Sequence, residues 1–185
     1  CDELSYQSII NSIRQKKINY TAEFNPAEGR YYLTGHRAGK NNHETDLFFN
    51  ADYPESLICP VCGKKLTMGV KDRCNMLKHH PLTPQKFIRQ IPLIDVLAYA
   101  CGLKSVSSPR LLSLYYGIIK HFETETALWS SPEETIKARL NPAYSSRIVS
   151  AILAVRSEKF SYNPPGFDGV YGHLQIECEN ELSSH

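Results

Sequence analysis

Apolar residues recur along this chain first at helical spacing, then at every second position, then at helical spacing again. In residues 4–15, Leu4, Ile9, Ile10 and Ile13 fall at near-helical spacing and predict an amphipathic helix. Ile18, Tyr20, Ala22 and Phe24 then alternate with polar residues, as a half-buried strand does. Asn25-Pro26 opens a turn and Gly29 closes it, so Arg30-Tyr31-Tyr32-Leu33 is expected to be the partner strand of a hairpin. Residues 35–56 are polar and irregular, and a loop of that length inside a small domain needs something to hold it, which a metal would provide. A short helix is expected over residues 73–78.

After Pro92 the pattern turns helical, over residues 93–100, 109–122, 132–140 and 142–156. Ser131-Pro132-Glu133-Glu134 is a strong start signal, with a capping hydroxyl, proline at the first helical position and acids in the first turn. Ser108-Pro109 and Asn141-Pro142 repeat the device. Residues 160–177 hold two aromatic-rich extended pieces around Pro164-Pro165-Gly166-Phe167-Asp168-Gly169, where a turn is expected. No internal repeat is visible.

The motif with the most chemical meaning is Cys59-Pro60-Val61-Cys62-Gly63-Lys64, a knuckle in which two thiolates grip one face of a metal and Gly63 permits the tight turn. One knuckle supplies half of a tetrahedral site. The polar loop offers His36 and His43 upstream, and Cys74 lies downstream. His36 follows the expected strand and His43 closes the same loop, so the favoured set is a Cys2His2 zinc site of His36, His43, Cys59 and Cys62. His36 as a surface residue meeting a phosphate, and Cys74 as a ligand or a small buried apolar residue, are the alternatives. A filled tetrahedron leaves no position for water, so the Zn2+ is expected to be structural. The fold class that follows is α+β: a small zinc-pinned β-hairpin and knuckle domain over residues 1–80, then a mainly α-helical domain over residues 81–185 with a short C-terminal β-hairpin.

Composition adds limits. The 185 residues suffice for one large or two small domains with their own cores, and a hydrophobic content of 42% is that of a globular protein. There is no apolar run of membrane-spanning length and no signal-peptide pattern at the start, so a cytoplasmic protein without membrane partners is expected. A first residue of Cys rather than Met points to a piece of a longer chain. The six cysteines are too sparse for a disulfide scaffold, and reduced thiols are expected. Net charge is only +2, but between residues 56 and 92 Lys64, Lys65, Lys71, Arg73, Lys78, Lys86 and Arg89 face Asp72 alone. That local excess beside a knuckle is the expected nucleic-acid-binding surface.

Catalytic groups are not evident. Asp46, Asp52, Asp72, Asp95 and Asp168 are scattered, with no paired-carboxylate motif, nucleophile elbow or phosphate-cradling glycine loop, and Asp168 reads as a turn former. The residues alone therefore describe a binding module, not catalytic by itself. Phe87, Tyr115, Tyr116, Phe167 and Tyr171 are the aromatic candidates for holding a displaced base, each weighed against a place in the core.

Longer strings narrow this further. AEFNPAEGRYYLTGHR at residues 22–37, CPVCGKKLTMGV at 59–70 with Arg73, and PGFDGVYG at 165–172 resemble, in order, the region that follows the catalytic domain in endonuclease Q-like proteins. Many members of that family carry further cysteines shortly after the Gly-His-Arg element, where this chain has Ala38, Gly39 and Lys40. The upstream ligands are accordingly placed at His36 and His43. The resemblance implies the zinc-binding and helical part of a DNA repair nuclease that nicks 5′ of deaminated bases and at abasic sites. It also implies that an N-terminal PHP domain of the full-length chain does the metal-dependent cutting. DNA is then the expected partner. The competing expectation is a protein-interaction module that docks a helicase, a clamp or another repair protein.

Overall fold

A computed structural model describes residues 4–18, 20–51, 54–77, 87–103 and 105–178. The first helix, α1 (Tyr6–Arg14), begins where Ser5 and Ser8 bond reciprocally: the Ser8 N–H donates to Ser5 Oγ at 3.2 Å, and the Ser5 N–H to Ser8 Oγ at 3.1 Å. It buries none of its residues, and Leu4, Ile9 and Ile13 stay exposed. The amphipathic helix forms as expected, with its apolar side uncovered.

The alternating segment yields β1 (Thr21–Glu23), but its partner is not the segment 30–33. Across from it, in parallel, runs β4 (Phe87–Arg89), pairing Thr21 with Phe87 and Glu23 with Arg89. The reason lies in the turn. Asn25 caps a 3-10 turn (Pro26–Glu28) by accepting from the Ala27 N–H at 3.0 Å. The backbone beyond it is occupied by the C-terminal loop: Gly166 N donates to Ala27 O (2.8 Å), Gly172 N to Glu28 O (2.9 Å), Gly169 N to Arg30 O (2.9 Å), and Leu33 N to Gly166 O (2.9 Å). With those groups taken, residues 30–33 have no ladder to offer β1.

The hairpin of this half is made one step later, by β2 (Thr34–His36) and β3 (Leu47–Phe49), antiparallel with Gly35 opposite Phe48 and His36 opposite Leu47. The polar stretch 35–56 is thus partly ordered as strand. Helix α2 (Val70–Leu77) starts earlier than expected, and the Val70 and Lys71 N–H groups donate to the carbonyls of Tyr31 and Tyr32 at 2.8 and 3.1 Å. Buried Thr34 ties this corner: its Oγ1 donates to Asp72 Oδ2 at 2.5 Å and accepts from Gly69 N at 2.8 Å.

The second half is built from α3 (Leu93–Cys101), α4 (Pro109–Ile119), α5 (Glu125–Ser130), α6 (Glu133–Leu140) and α7 (Ser146–Arg156). Helix α3 ends on Gly102 in the left-handed region and packs against α4 and α7. Leu93, Val96, Leu97, Leu111, Ile118, Leu128, Ile136, Leu140 and Ile152 are fully or almost fully buried in one core. The sequence pattern does not reveal α5, because six residues are under two turns and show no period. Its Glu125 is a cross-link, accepting from Leu93 N (2.7 Å), Tyr115 Oη (3.0 Å) and Trp129 Nε1 (3.0 Å).

The expected C-terminal hairpin is β5 (Phe160–Tyr162) against β6 (Leu174–Ile176), antiparallel, with Ile176 in the helical core. The loop between these strands reaches back to residues 27–37, so the last part of the chain completes the first.

Candidate metal centre

The four residues chosen for ligation meet at one point. His36 sits at the end of β2, His43 in the β2–β3 connection, and Cys59 and Cys62 in the knuckle that follows. One donor atom from each lies within 4.8 Å of all the others. His36, His43 and Cys59 are buried and Cys62 is half-buried. Cys59 Sγ is 3.3 Å from His43 Nε2, and Cys62 Sγ is 3.5 Å from His36 Nδ1. Metal–ligand bonds of about 2.0–2.3 Å in a tetrahedron imply edges of roughly 3.3–3.8 Å, and these two separations fall in that range.

Local structure explains the convergence. The knuckle closes as Cys59 N donates to Lys64 O (2.8 Å) and Gly63 N to Cys59 O (2.9 Å), with Gly63 at a φ of 67° that favours glycine. Gly35 is needed for a different reason: a Cβ there would lie 2.3 Å from Leu47 O, so a side chain would push the hairpin open between the two histidines. His36 Nε2 lies 3.0 Å from the Lys65 carbonyl, an arrangement that places the ring proton on Nε2 and leaves Nδ1 turned to the cluster as a lone pair. Burial pushes the Cys59 thiol up, but the backbone N–H groups of Cys62 and Val61, together with the Cys62 side chain, outweigh it and hold the thiol below its usual range. A thiolate is the form a metal takes.

Cys74 is exposed on α2 and lies outside the cluster, so it is not the third or fourth ligand in this arrangement. Among the described residues no other group of three or more His, Cys, Asp or Glu side chains is gathered closely enough to hold a metal ion. The donor set, its burial and the ring–carbonyl contact all fit a metal ion with no open coordination position.

The basic residues are arranged less tightly. Lys64 and Lys65 are exposed just after the knuckle, and Arg73 is exposed on α2. Lys71 is half-buried, and its ammonium donates to the carbonyl of Asn50. Arg89 is exposed on β4, 6.0 Å from the ring of Phe87, which is itself exposed. Lys78 and Lys86 lie outside the described residues.

Of the aromatic candidates, Phe167 belongs to the core: it is 1% exposed and packs on Phe48, with ring centroids 4.9 Å apart. Tyr115 is half-buried with its hydroxyl on Glu125, whereas Phe87, Tyr116 and Tyr171 are exposed. Two features go beyond the turn former and the lone aromatic expected from the sequence. Asp168 is a buried anchor: it accepts from Lys40 Nζ, Thr67 Oγ1 (2.7 Å) and Arg37 N (2.9 Å). Arg30 lies between Tyr31 and Tyr171, and its signal was the adjacent Arg-Tyr pair, though its other aromatic neighbour is far away along the chain.

These observations define a class: a small α+β module stitched together around a closed His2Cys2 cluster able to hold a metal ion, continuous with a helical bundle that returns a loop to it. No protein-family model matches the sequence, and no curated protein matches it. Two solved structures share the fold. One is the lesion-specific endonuclease PfuEndoQ from Pyrococcus furiosus, with a TM-score of 0.73 and 25% identity over 94% of this chain. The other is endonuclease Q in complex with a 27-mer duplex substrate bearing an abasic lesion at the active site, with a TM-score of 0.68 and 23% identity over 98% of this chain. The chain is thus similar to endonuclease Q, and it spans 42% and 46% of the lengths of those two chains. No helix among the described residues is long and apolar enough to cross a membrane.

Proposed function

We propose that this chain is the DNA-binding and damage-recognition portion of an endonuclease Q-like repair nuclease, non-catalytic by itself. In this reading, cutting 5′ of a deaminated base is done by an N-terminal PHP domain of the full-length protein. The observation that carries the proposal is the match over nearly the whole chain to a lesion-specific endonuclease, with a related structure solved on duplex DNA. The metal is Zn2+, held by His36, His43, Cys59 and Cys62, and its role is to fix the knuckle rather than to activate water. Duplex phosphates meet Lys64, Lys65, Lys71, Arg73 and Arg89, with Lys78 and Lys86 extending the same basic stretch.

The test is an anisotropy titration on duplex DNA over a range of salt. Four or five neutralised phosphates give a log-log slope of roughly −4, because each contact releases condensed counterions. A Lys64/Lys65/Lys71 triple alanine variant is expected to flatten the slope by about one unit per charge at unchanged metal content. Identical slopes for the two proteins would move the DNA surface elsewhere. The second reading, a protein-docking module, draws on the uncovered apolar side of α1, where Ile9 and Ile13 are exposed. Absence of DNA binding at low salt would favour it.

A further inference from the structure

Arg30, Tyr31 and Tyr171 form a cluster that shares no residue with the metal centre or with the lysines that follow the knuckle. The Arg30 guanidinium carbon is 6.0 Å from the centroid of the Tyr31 ring and 5.5 Å from that of Tyr171. Its Nε donates to Gly169 O at 2.9 Å, and Gly169 N donates back to Arg30 O at 2.9 Å. The loop that carries Gly169 is held through Asp168, whose buried carboxylate takes Lys40, Thr67 and the Arg37 N–H. The guanidinium is therefore already ordered, and little side-chain entropy remains to be lost when a ligand arrives.

The two rings are nevertheless left in water, Tyr31 at 48% and Tyr171 at 60% exposure. Arg37, also exposed, is joined to the other side of the same loop. Flat ring faces beside a guanidinium bonded to Gly169, with Arg37 held nearby through its backbone N–H, match a ligand that has both a π-face and a negative charge. An acidic peptide would satisfy the cations and leave the rings wet, whereas a nucleotide satisfies both. In an intact duplex the base faces are stacked on one another and unavailable to the rings. The complementary ligand is a nucleic-acid strand with unpaired bases.

We propose that Arg30, Tyr31 and Tyr171 form a stacking platform for unpaired nucleotides, the rings taking the base faces while Arg30 and Arg37 meet the phosphates. This rests on the DNA-binding reading above and deepens it by assigning single-stranded or splayed bases to residues other than the lysines.

The experiment compares binding of a fluorescent oligo-dT and a blunt duplex by the full chain and by Tyr31→Ala, Tyr171→Ala, Tyr171→Leu and Tyr171→Phe. Tyr171→Ala and Tyr171→Leu, which lack a π-face, are expected to weaken oligo-dT binding about tenfold, with Tyr31→Ala close behind. Tyr171→Phe retains the ring and should bind as the wild type does. Duplex affinity should change by less than about twofold, and the salt slope on oligo-dT should stay as it was, because no charge has been removed. Oligo-dT binding unchanged in Tyr31→Ala and Tyr171→Ala would overturn the platform, as would equal weakening on both DNA forms. If the wild type binds duplex DNA with the expected salt slope while the tyrosine variants match it on oligo-dT, this inference alone falls. If the wild type binds neither DNA, the underlying reading falls with it.

Discussion

At Cys59, burial pushes the thiol up, and the N–H groups of Cys62 and Val61 with the Cys62 side chain outweigh it and bring the thiol below its usual range. A lowered thiol favours the thiolate that a metal ligand needs. Replacing Cys59 with Ser is expected to abolish metal binding and melt the knuckle half, whereas Cys74→Ser, at an exposed position on α2, should do neither. Metal analysis decides this, with about one equivalent expected in the wild type and less than about a tenth in Cys59→Ser. Asp168 supports a second residue-scale prediction. Burial pushes its carboxyl up, but Lys40, the Arg37 N–H and the Thr67 hydroxyl together hold it below the usual carboxylate range. A depressed folded pKa means stability present above the unfolded value of about 3.9 and lost as pH falls through the folded one. Asp168→Asn should therefore cost about 1–3 kcal/mol near neutral pH, and the cost should shrink below about pH 4. Urea midpoints of the two proteins at several pH values would show the curves converging in acid, and a constant difference would refute the ion-pair account. Glu28 and Asp95 act in the opposite sense. Burial holds both carboxyls above their usual range, Asp95 adding to the effect on Glu28 and Glu125 to that on Asp95, while the Tyr162 hydroxyl partly offsets it for Glu28. A raised carboxyl favours the folded state at low pH and loses that contribution as pH rises through the folded value.

Among elements, the β2–β3 hairpin and α1 stand at opposite ends of dependence on packing. Gly35 faces Phe48 so closely that an added Cβ would meet Leu47 O at 2.3 Å and Phe48 Cα at 3.0 Å, backbone atoms that cannot step aside. Gly35→Ala is expected to destabilise by about 2 kcal/mol or more and to weaken metal retention, since the same strands carry His36 and the approach to His43. Wild-type stability and metal content in that variant would show that the hairpin can shift without cost. Helix α1 buries no residue, so its apolar side contributes little to folding of this chain. Ile9→Ser and Ile13→Ser together should change the thermal midpoint by no more than about 2–4 °C, in keeping with surface substitutions of about 0.5 kcal/mol each. A large drop would mean that the helix packs in solution against something it does not touch here.

At the scale of the whole molecule, the loop between β5 and β6 binds the two halves of the chain together. It supplies the backbone partners of residues 27–33 and, through Asp168, the anchor of the Lys40 side chain. Chelation of the metal is accordingly expected to loosen the knuckle first and leave the helical core, with Leu97, Ile118 and Ile152 at its centre, folded. Far-ultraviolet circular dichroism should then retain most of its helical signal in a chelator while duplex binding is lost. Simultaneous loss of both would show a single cooperative unit. The isolated chain is also expected not to nick uracil- or hypoxanthine-containing DNA with added magnesium, manganese or zinc. A PHP-type site needs several clustered histidines and carboxylates, and among the described residues the one assembled donor group is the closed His2Cys2 set. Reproducible nicking that disappears on mutation of a residue in this chain would overturn that.

What the sequence determined by itself was whatever is encoded locally. The knuckle needs only two cysteines, a glycine and their spacing. Helices α3, α4 and α6 begin at or just after a proline and, like α7, have enough turns for a period to emerge, though α7 starts at Ser146 and not at Asn141-Pro142; the hairpin of β5 and β6 is announced by its Pro-Pro-Gly turn. The gathering of His36 and His43 at the knuckle was also legible, because a long polar loop with two histidines beside half a metal site needs an anchor. Tertiary structure decided the pairings between distant segments. Parallel pairing of β1 with β4, rather than a hairpin with residues 30–33, depends on the C-terminal loop having claimed the backbone of 27–33 first. Short α5 is held as much by the partners of Glu125 as by its own turns. The burial of Phe167 and the meeting of Arg30 with Tyr171 are likewise set by long-range contacts. Local propensity and periodicity act over a few residues, whereas these choices follow from which backbone groups and surfaces remain unsatisfied once the whole chain has folded.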